Sequence, residues 1–455
     1  IESVTSIDGT EPMPLPGGVG SVPFAAILGF SRPAANLPSS QKPLFYAGQA
    51  LARQPWVKAP SSTDARDGLG PLYNARSCLV CHHRGGRGTV NGDGVLGTGT
   101  LIRLSQVRVD GTAAPDPIYG SQLQLRTIDA SYTLGGTAGQ IPAEAQVVVE
   151  WIPVVTRYPD GQSITLRRPT VHLSQLGYGP LAPTTVLGLR HASPLYGLGL
   201  IDLIDTDDLM AMADPSDEDG DGISGRANRV WDRQRQTTVV GRFGWKANQP
   251  SLRQQVAAAL AFDMGITSRL FPASTCTEDQ SACRNAPNGA SAGGHEISDS
   301  LLDLIVDYNR SIAVPQRRKP SHPLVVEGQR YFVAMGCVGC HVPTQRTGQD
   351  SRFPHLSGQT IWPYTDLLLH DMGPELADGR PDFDASGVEW RTPPLWGVGL
   401  SRAVHRDAGL LHDGRARTVE EAILWHGGEA QESRDAFMAA KSAQRRALLA
   451  FVRSL

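Results

Sequence analysis

Six cysteines in 455 residues fall into three close pairs: Cys78 with Cys81, Cys276 with Cys283, and Cys337 with Cys340. The outer two pairs are each followed at once by a histidine, in Cys-Leu-Val-Cys-His (78–82) and Cys-Val-Gly-Cys-His (337–341). This spacing has a chemical cause. On one helical turn two thiols can each add to a haem vinyl group, and the imidazole that follows then points at the iron. A zinc site would bring two such pairs around one metal, but needs no histidine directly after each second cysteine. A redox dithiol calls for a βαβ setting that this sequence lacks. The expectation is two covalently bound haem c groups. His82 and His341 are then the proximal ligands, and His83 points elsewhere.

Covalent haem attachment takes place outside the cytoplasm. The middle pair suits that compartment, because the six residues between Cys276 and Cys283 form a polar loop that a disulfide can close. A periplasmic or secreted protein follows, its signal segment absent from this sequence. A further candidate site is Asp-Pro-Ser-Asp-Glu-Asp-Gly-Asp-Gly (214–222), where Asp217, Asp219, Asp221 and Gly222 keep the alternation of a calcium loop. Asn228 stands where such a loop carries its bidentate Glu, so a bound Ca2+ and a solvated acidic turn both remain open readings.

These residues need elements to position them. Residues 1–44, rich in Gly, Pro and Ser, read as an extended N-terminal arm. A helix beginning near "PLFYAGQALARQ" leads into the first haem motif. From about 100 to 180 the pattern turns to period two, and "QVVVEWIPVVTRY" and "QSITLRRPTVHL" flank Pro-Asp-Gly as a hairpin does. Helical periodicity returns at 251–265 and 299–314, then at 325–341 before the second motif, and again in the amphipathic tail 434–455. "SPLYGLGL" (193–200) matches "PPLWGVGL" (393–400), each downstream of its own haem motif. The expected fold is mainly α: two cytochrome c-like haem domains related by an internal repeat, with a β-rich insertion in the first and long loops. The domains are placed at 45–320 and 321–455.

Composition narrows the class. A net charge of −3 excludes a broadly basic nucleic-acid binder, and no apolar run is long enough to span a membrane.

The stretch "EWRTPPLWGVGLSRAVHRDAGLLHDGRARTVEEAILWHGG" (389–428) resembles the C-terminal half of the bacterial di-haem cytochrome c peroxidase and MauG superfamily. "GLGPLYNARSCLVCHHRGGRG", "DPIYGSQLQ", "GDGISGRANRV", "GRFGWKA" and "LLLHDMG" resemble one branch of it, the di-haem oxidoreductases, also called thiol oxidoreductases. The likeness runs from about residue 40 to the C-terminus. No dithiol is left over to support the thiol label.

The resemblance implies the remaining site residues. In those peroxidases a His-Asp-Gly turn precedes a helix that carries a Met ligand for the second haem. The turn here is His412-Asp413-Gly414 and the matching helical position is His426, which implies bis-histidine ligation by His341 and His426. Met372 is the runner-up, and His355, His370, His405 and His412 are the other histidines after the motif. Trp245 falls where the superfamily has a tryptophan between the haems. The position equivalent to His426 in the first half falls near Ala259, and the distal acid/base carboxylate near Asp263. Glu150, Gln122, Gln124, Lys246 and His191 are further polar candidates for that pocket, and a ligand from Lys246 or His191 would close it.

Three functions remain open on the sequence. The first and expected one is a peroxidase-like oxidoreductase, with peroxide activated at haem 1 on the His82 side and electrons passed through haem 2. The others are an oxygenase of the rubber-cleaving type and an electron-transfer cytochrome with both irons closed. The implied partners are a small redox protein as electron donor and peroxide or oxygen as oxidant. Superfamily members are often dimers, so a homodimer is the expected assembly.

Overall fold

The computed structural model describes residues 13–455 except 64, 93, 109–110, 129–140 and 291–293. The first twelve residues of the expected N-terminal arm therefore lie outside the described residues, as does a stretch of the β-rich insertion.

Two helix pairs stand near the two haem motifs. The helix Lys42–Arg53 crosses Asp299–Arg310, and the helix Pro323–Ala334 crosses Ser442–Ser454. Both crossings run over a glycine. A Cβ at Gly48 would overlap the carbonyl of Leu304, and one at Gly328 that of Ala447. Close packing of backbone on backbone requires glycine at such points. In each half, the helix before the motif is thereby locked to a helix far along the chain.

The expectation of a mainly α fold is corrected. Helix accounts for only 28% of the chain and strand for 20%. The described strands form six sheets, five of two strands and one of three. The reason lies in the connections, since 49 glycines and 33 prolines break the chain into short runs. Pairings such as Leu369–Asp371 with Glu389–Arg391 are only three residues long, too short to show a period. The architecture is a mixed one, with helix pairs and small sheets interleaved, and not the mainly α cytochrome c arrangement.

The longest ribbon pairs Gln146–Arg157 with Ser163–Ser174 in antiparallel register, Gln146 opposite Ser174 and Arg157 opposite Ser163. Its turn rests on the C-terminal part of the chain. Tyr158 donates its hydroxyl proton to Glu420 at 2.8 Å, and Arg445 binds Asp160 at 2.6 Å while lying over the Tyr158 ring. A three-stranded sheet aligns Thr100–Val107 with Thr185–His191, pairing Thr100 with His191 and so fixing that histidine inside the protein.

The largest core joins Phe30, Tyr196 and the helix Leu252–Met264 to Phe353, Trp396 and Leu400. A second core packs Phe332, Tyr364, Trp390, Trp425 and Phe451 with Tyr158 and Leu166 of the ribbon.

Candidate haem centres

The second Cys-x-x-Cys-His opens onto a cavity of about 1370 Å³, its open mouth included. Cys337, Cys340, His341, Met372, His426 and Trp245 all line it, among mostly apolar neighbours such as Leu376, Leu395 and Val398. His341 Nδ1 lies 3.0 Å from the Tyr364 carbonyl, and His426 Nδ1 lies 2.8 Å from the Ala422 carbonyl. A carbonyl only accepts, so both rings carry their proton on Nδ1 and keep Nε2 bare. Burial holds both rings neutral. It takes His341 down to about 4, helped by the charge of His426, and lowers His426 as well. Neutral imidazoles with bare Nε2 atoms are the form that binds a metal. His426 owes its place to the short helix Val419–Leu424, whose Thr418 cap accepts from the Glu421 amide at 3.1 Å.

Of the remaining histidines after His341, His370 and His412 also line this cavity, but their rings are engaged by other partners. His370 gives one nitrogen to Asp366 at 2.8 Å and the other to Glu429 at 2.7 Å. Burial pushes its pKa down, but the bonds to Asp366, Cys340 and Glu429 outweigh that and lift it to about 12. It is an imidazolium with no free lone pair. His412 stacks flat on Trp390 at 3.6 Å. His405 lies edge-on to His83, half-buried. His355 is buried by Phe353, away from the lining of this cavity.

The first motif forms the short helix Cys78–Cys81, with the His82 amide bonded to Cys78. His82 Nδ1 donates to the Ser193 carbonyl at 2.6 Å, again leaving Nε2 bare, and burial lowers its pKa. The thiols are not those of a reactive dithiol, which are acidified by nearby cations. Burial pushes Cys78 up to about 11 and Cys81 and Cys337 up to about 12. Nor do the two cysteine pairs converge. Among the described residues the only set of three or more His, Cys, Asp or Glu within reach of one ion is acidic.

Asp263 lies close enough to this motif for its charge to raise both Cys78 and Cys81. It ends the helix Leu252–Met264, capped by Ser251 and stopped at Gly265 with φ +66°. Ala259 sits four positions earlier, on the same face. Gln122 Nε2 donates to Asp263 Oδ1 at 2.8 Å and to the Phe262 carbonyl at 2.7 Å. Gln124 Nε2 donates to that same carbonyl at 2.6 Å. Burial raises the Asp263 pKa, while the Gln122 bond and the Arg103 charge pull it back.

Two other polar candidates are held by other partners. Glu150 pairs with His172 on the exposed face of the ribbon. Lys246, only 1% exposed, donates to the carbonyls of Ser386 and Glu389 and lies over Trp390. His191 is buried, with Nδ1 3.3 Å from Thr100 Oγ1 and a pKa taken down to about 3 by burial and by Arg87. The charge of His82 contributes to that shift, so His191 lies near the first centre. Its carbonyl accepts from Trp245 Nε1 at 2.7 Å. Trp245, on the wall of the second cavity, is thus bonded to a residue next to the first.

Asp217 and Asp219 come together with Asp214, the ligand oxygens all within 4.8 Å. Asp221 is outside that group and accepts from the Ile223 amide. Asn228 is fully buried on the carbonyls of Lys246 and Asp382, out of the loop. Cys276 and Cys283 are joined by a disulfide with Cα atoms 5.9 Å apart.

Sequence reasoning missed Asp366, Glu429, Arg87 and Arg391. None carries a local signal, since each is recruited from a different connection.

Two centres of like construction, each with a cysteine pair and a histidine pinned through Nδ1, define a protein built for two redox groups. The chain belongs to the family described as "di-haem oxidoreductase, putative peroxidase", whose model matches residues 16–455. It is a di-haem oxidoreductase by that membership. No curated protein matches the chain. At the second motif the residues present fit a haem of the kind the family implies, with an apolar cavity, bare Nε2 atoms and buried cationic groups at its wall; at the first, His82 offers a bare Nε2 beside its cysteine pair.

Proposed function

We propose that this protein is a periplasmic di-haem c peroxidase whose two centres have different tasks. In this reading Cys78, Cys81 and His82 would hold the first haem, and Cys337, Cys340 and His341 the second. When bound, the haems supply a ferric iron that can take peroxide at the first centre and an electron store at the second.

The observation that carries the reading is an asymmetry between two equivalent helices. After the Thr418-capped helix, His426 presents a bare Nε2 to the second cavity. After the Ser251 cap, the matching position is Ala259, which has nothing to offer an iron. The second centre is then closed by two imidazoles and the first stays open.

At the open centre, Asp263 Oδ2 would take a proton from one peroxide oxygen and return it to the other. Two electrons from the haem pair, restored by the donor, with two further protons from solvent would complete reduction of the peroxide to two waters. Gln122 holds Oδ1 so that the second oxygen is free for this work. Burial keeps the carboxyl poised above the ordinary carboxylate range, which suits a group that must both accept and return a proton. Trp245, bonded to His191, lies along the route between the centres. An electron-donor protein on the outside completes the cycle. The disulfide Cys276–Cys283 supports an oxidising compartment.

The test is peroxide turnover with an artificial reductant in the di-haem protein and in Asp263→Asn. The reading requires turnover in the first and its collapse in the second. Absence of turnover in the pre-reduced wild-type protein would sink it.

A further inference from the structure

Arg87 belongs to the first centre by sequence, five residues past His82, but its side chain lines the second cavity. It is 5% exposed, and neither its Nε nor its Nη1 has a hydrogen-bond partner among the described residues. Burial lowers its pKa, and among the described residues Tyr196 alone offsets this. Arg391, 8% exposed, lines the same cavity and gives its nitrogens to the carbonyls of Gly244 and Thr392. Carbonyls satisfy donors but do not neutralise charge. The two guanidinium groups repel each other, the charge of Arg87 lowering Arg391 further. The one carboxylate that offsets Arg391, Asp366, is already held by His370.

Two buried cations facing one apolar cavity call for an anion with planar, two-oxygen geometry. The haem of this family is an apolar ring bearing two propionate carboxylates, which match that demand. We propose that Arg87, reaching across from the first attachment segment, clamps the propionates of the second haem, with Arg391 beside it. The first centre's own chain thereby sets the charge balance, and so the reduction potential, of the second. This rests on the reading that a haem occupies this cavity.

The experiment is a spectroelectrochemical titration of the holoprotein and of Arg87→Gln, after a haem count by pyridine haemochromogen. Loss of a cation beside the iron favours the ferric state. The second couple should fall by about tenfold in its reduction equilibrium, about 59 mV for one electron, with the first moved less. Arg87→Lys keeps the charge without the planar fork, and should show a smaller drop and an altered propionate bending mode in the Raman spectrum. It also serves if Arg87→Gln fails to fold. Two unchanged couples, or a drop confined to the first, would overturn the clamp. So would a second couple in the wild-type protein that moves with added inorganic phosphate and ceases to do so in the variant, which would mark a free-anion site. A wild-type count of one haem would instead defeat the two-haem reading itself.

Discussion

Tyr196 and Trp396 each lie on the glycine that follows the other. A Cβ on Gly397 would come within 2.6 Å of the Tyr196 hydroxyl, and one on Gly197 would overlap the Trp396 ring. Both glycines have left-handed φ, +76° at Gly197 and +69° at Gly397. The two copies of the repeated octapeptide therefore meet face to face in the largest core. Gly397→Ala combines a backbone penalty with a clash. It should cost more than about 1 kcal/mol, read as a lower midpoint of thermal unfolding. An unchanged midpoint would mean the contact is not tight.

His426→Ala removes one of the two imidazoles proposed to hold the second iron and leaves Cys337 and Cys340 untouched. The second haem should turn from low to high spin while still covalently attached. An unaltered visible and EPR spectrum would pass the role to Met372, which shares the cavity.

Asp263→Asn should slow the reaction with peroxide by ~10²–10⁴. The pH profile carries a second sign. Burial raises this carboxyl, so the rate should climb with pH through a value above the ordinary carboxylate range. Gln122→Leu deletes the 2.8 Å bond that favours the charged form, and should move that limb higher still. Stability runs the other way. A raised folded pKa gives stability that is full below the unfolded value and lost as pH rises through the folded one. Asp263→Asn should therefore raise the unfolding midpoint at neutral pH as it removes activity. A profile independent of pH in this range would exclude Asp263 as the proton carrier.

Trp245→Phe deletes the bond from the indole to the His191 carbonyl. Electron transfer between the centres should slow when followed after rapid reduction, and the loss of one hydrogen bond should cost only about 0.5–1.5 kcal/mol of stability. Equal transfer rates would take Trp245 out of the path.

The di-haem character was legible because its signal is local: Cys-x-x-Cys-His needs only one turn of chain to bring two thiols and an imidazole together. The 146–174 ribbon was legible for the same reason, as alternation around Pro-Asp-Gly. The balance of helix and strand was not, because strands of two to four residues, such as Arg229–Asp232 with Thr237–Val240, leave no period to read. The acidic loop shows a third limit. Spacing selected Asp221, yet the turn directs its carboxylate to the Ile223 amide and brings in Asp214 instead. His370 looked like any other histidine until Asp366 and Glu429 were seen on either side of it. Arg87 is the extreme case, a residue whose sequence neighbours belong to one centre and whose side chain belongs to the other.

The central claim is that one iron is closed by His341 and His426 while the other, above His82, is open. Low-temperature EPR of the fully oxidised protein tests it most directly. The account predicts one low-spin and one high-spin ferric signal in equal amounts. Two low-spin signals would contradict it, because both irons would then carry a second strong ligand at rest.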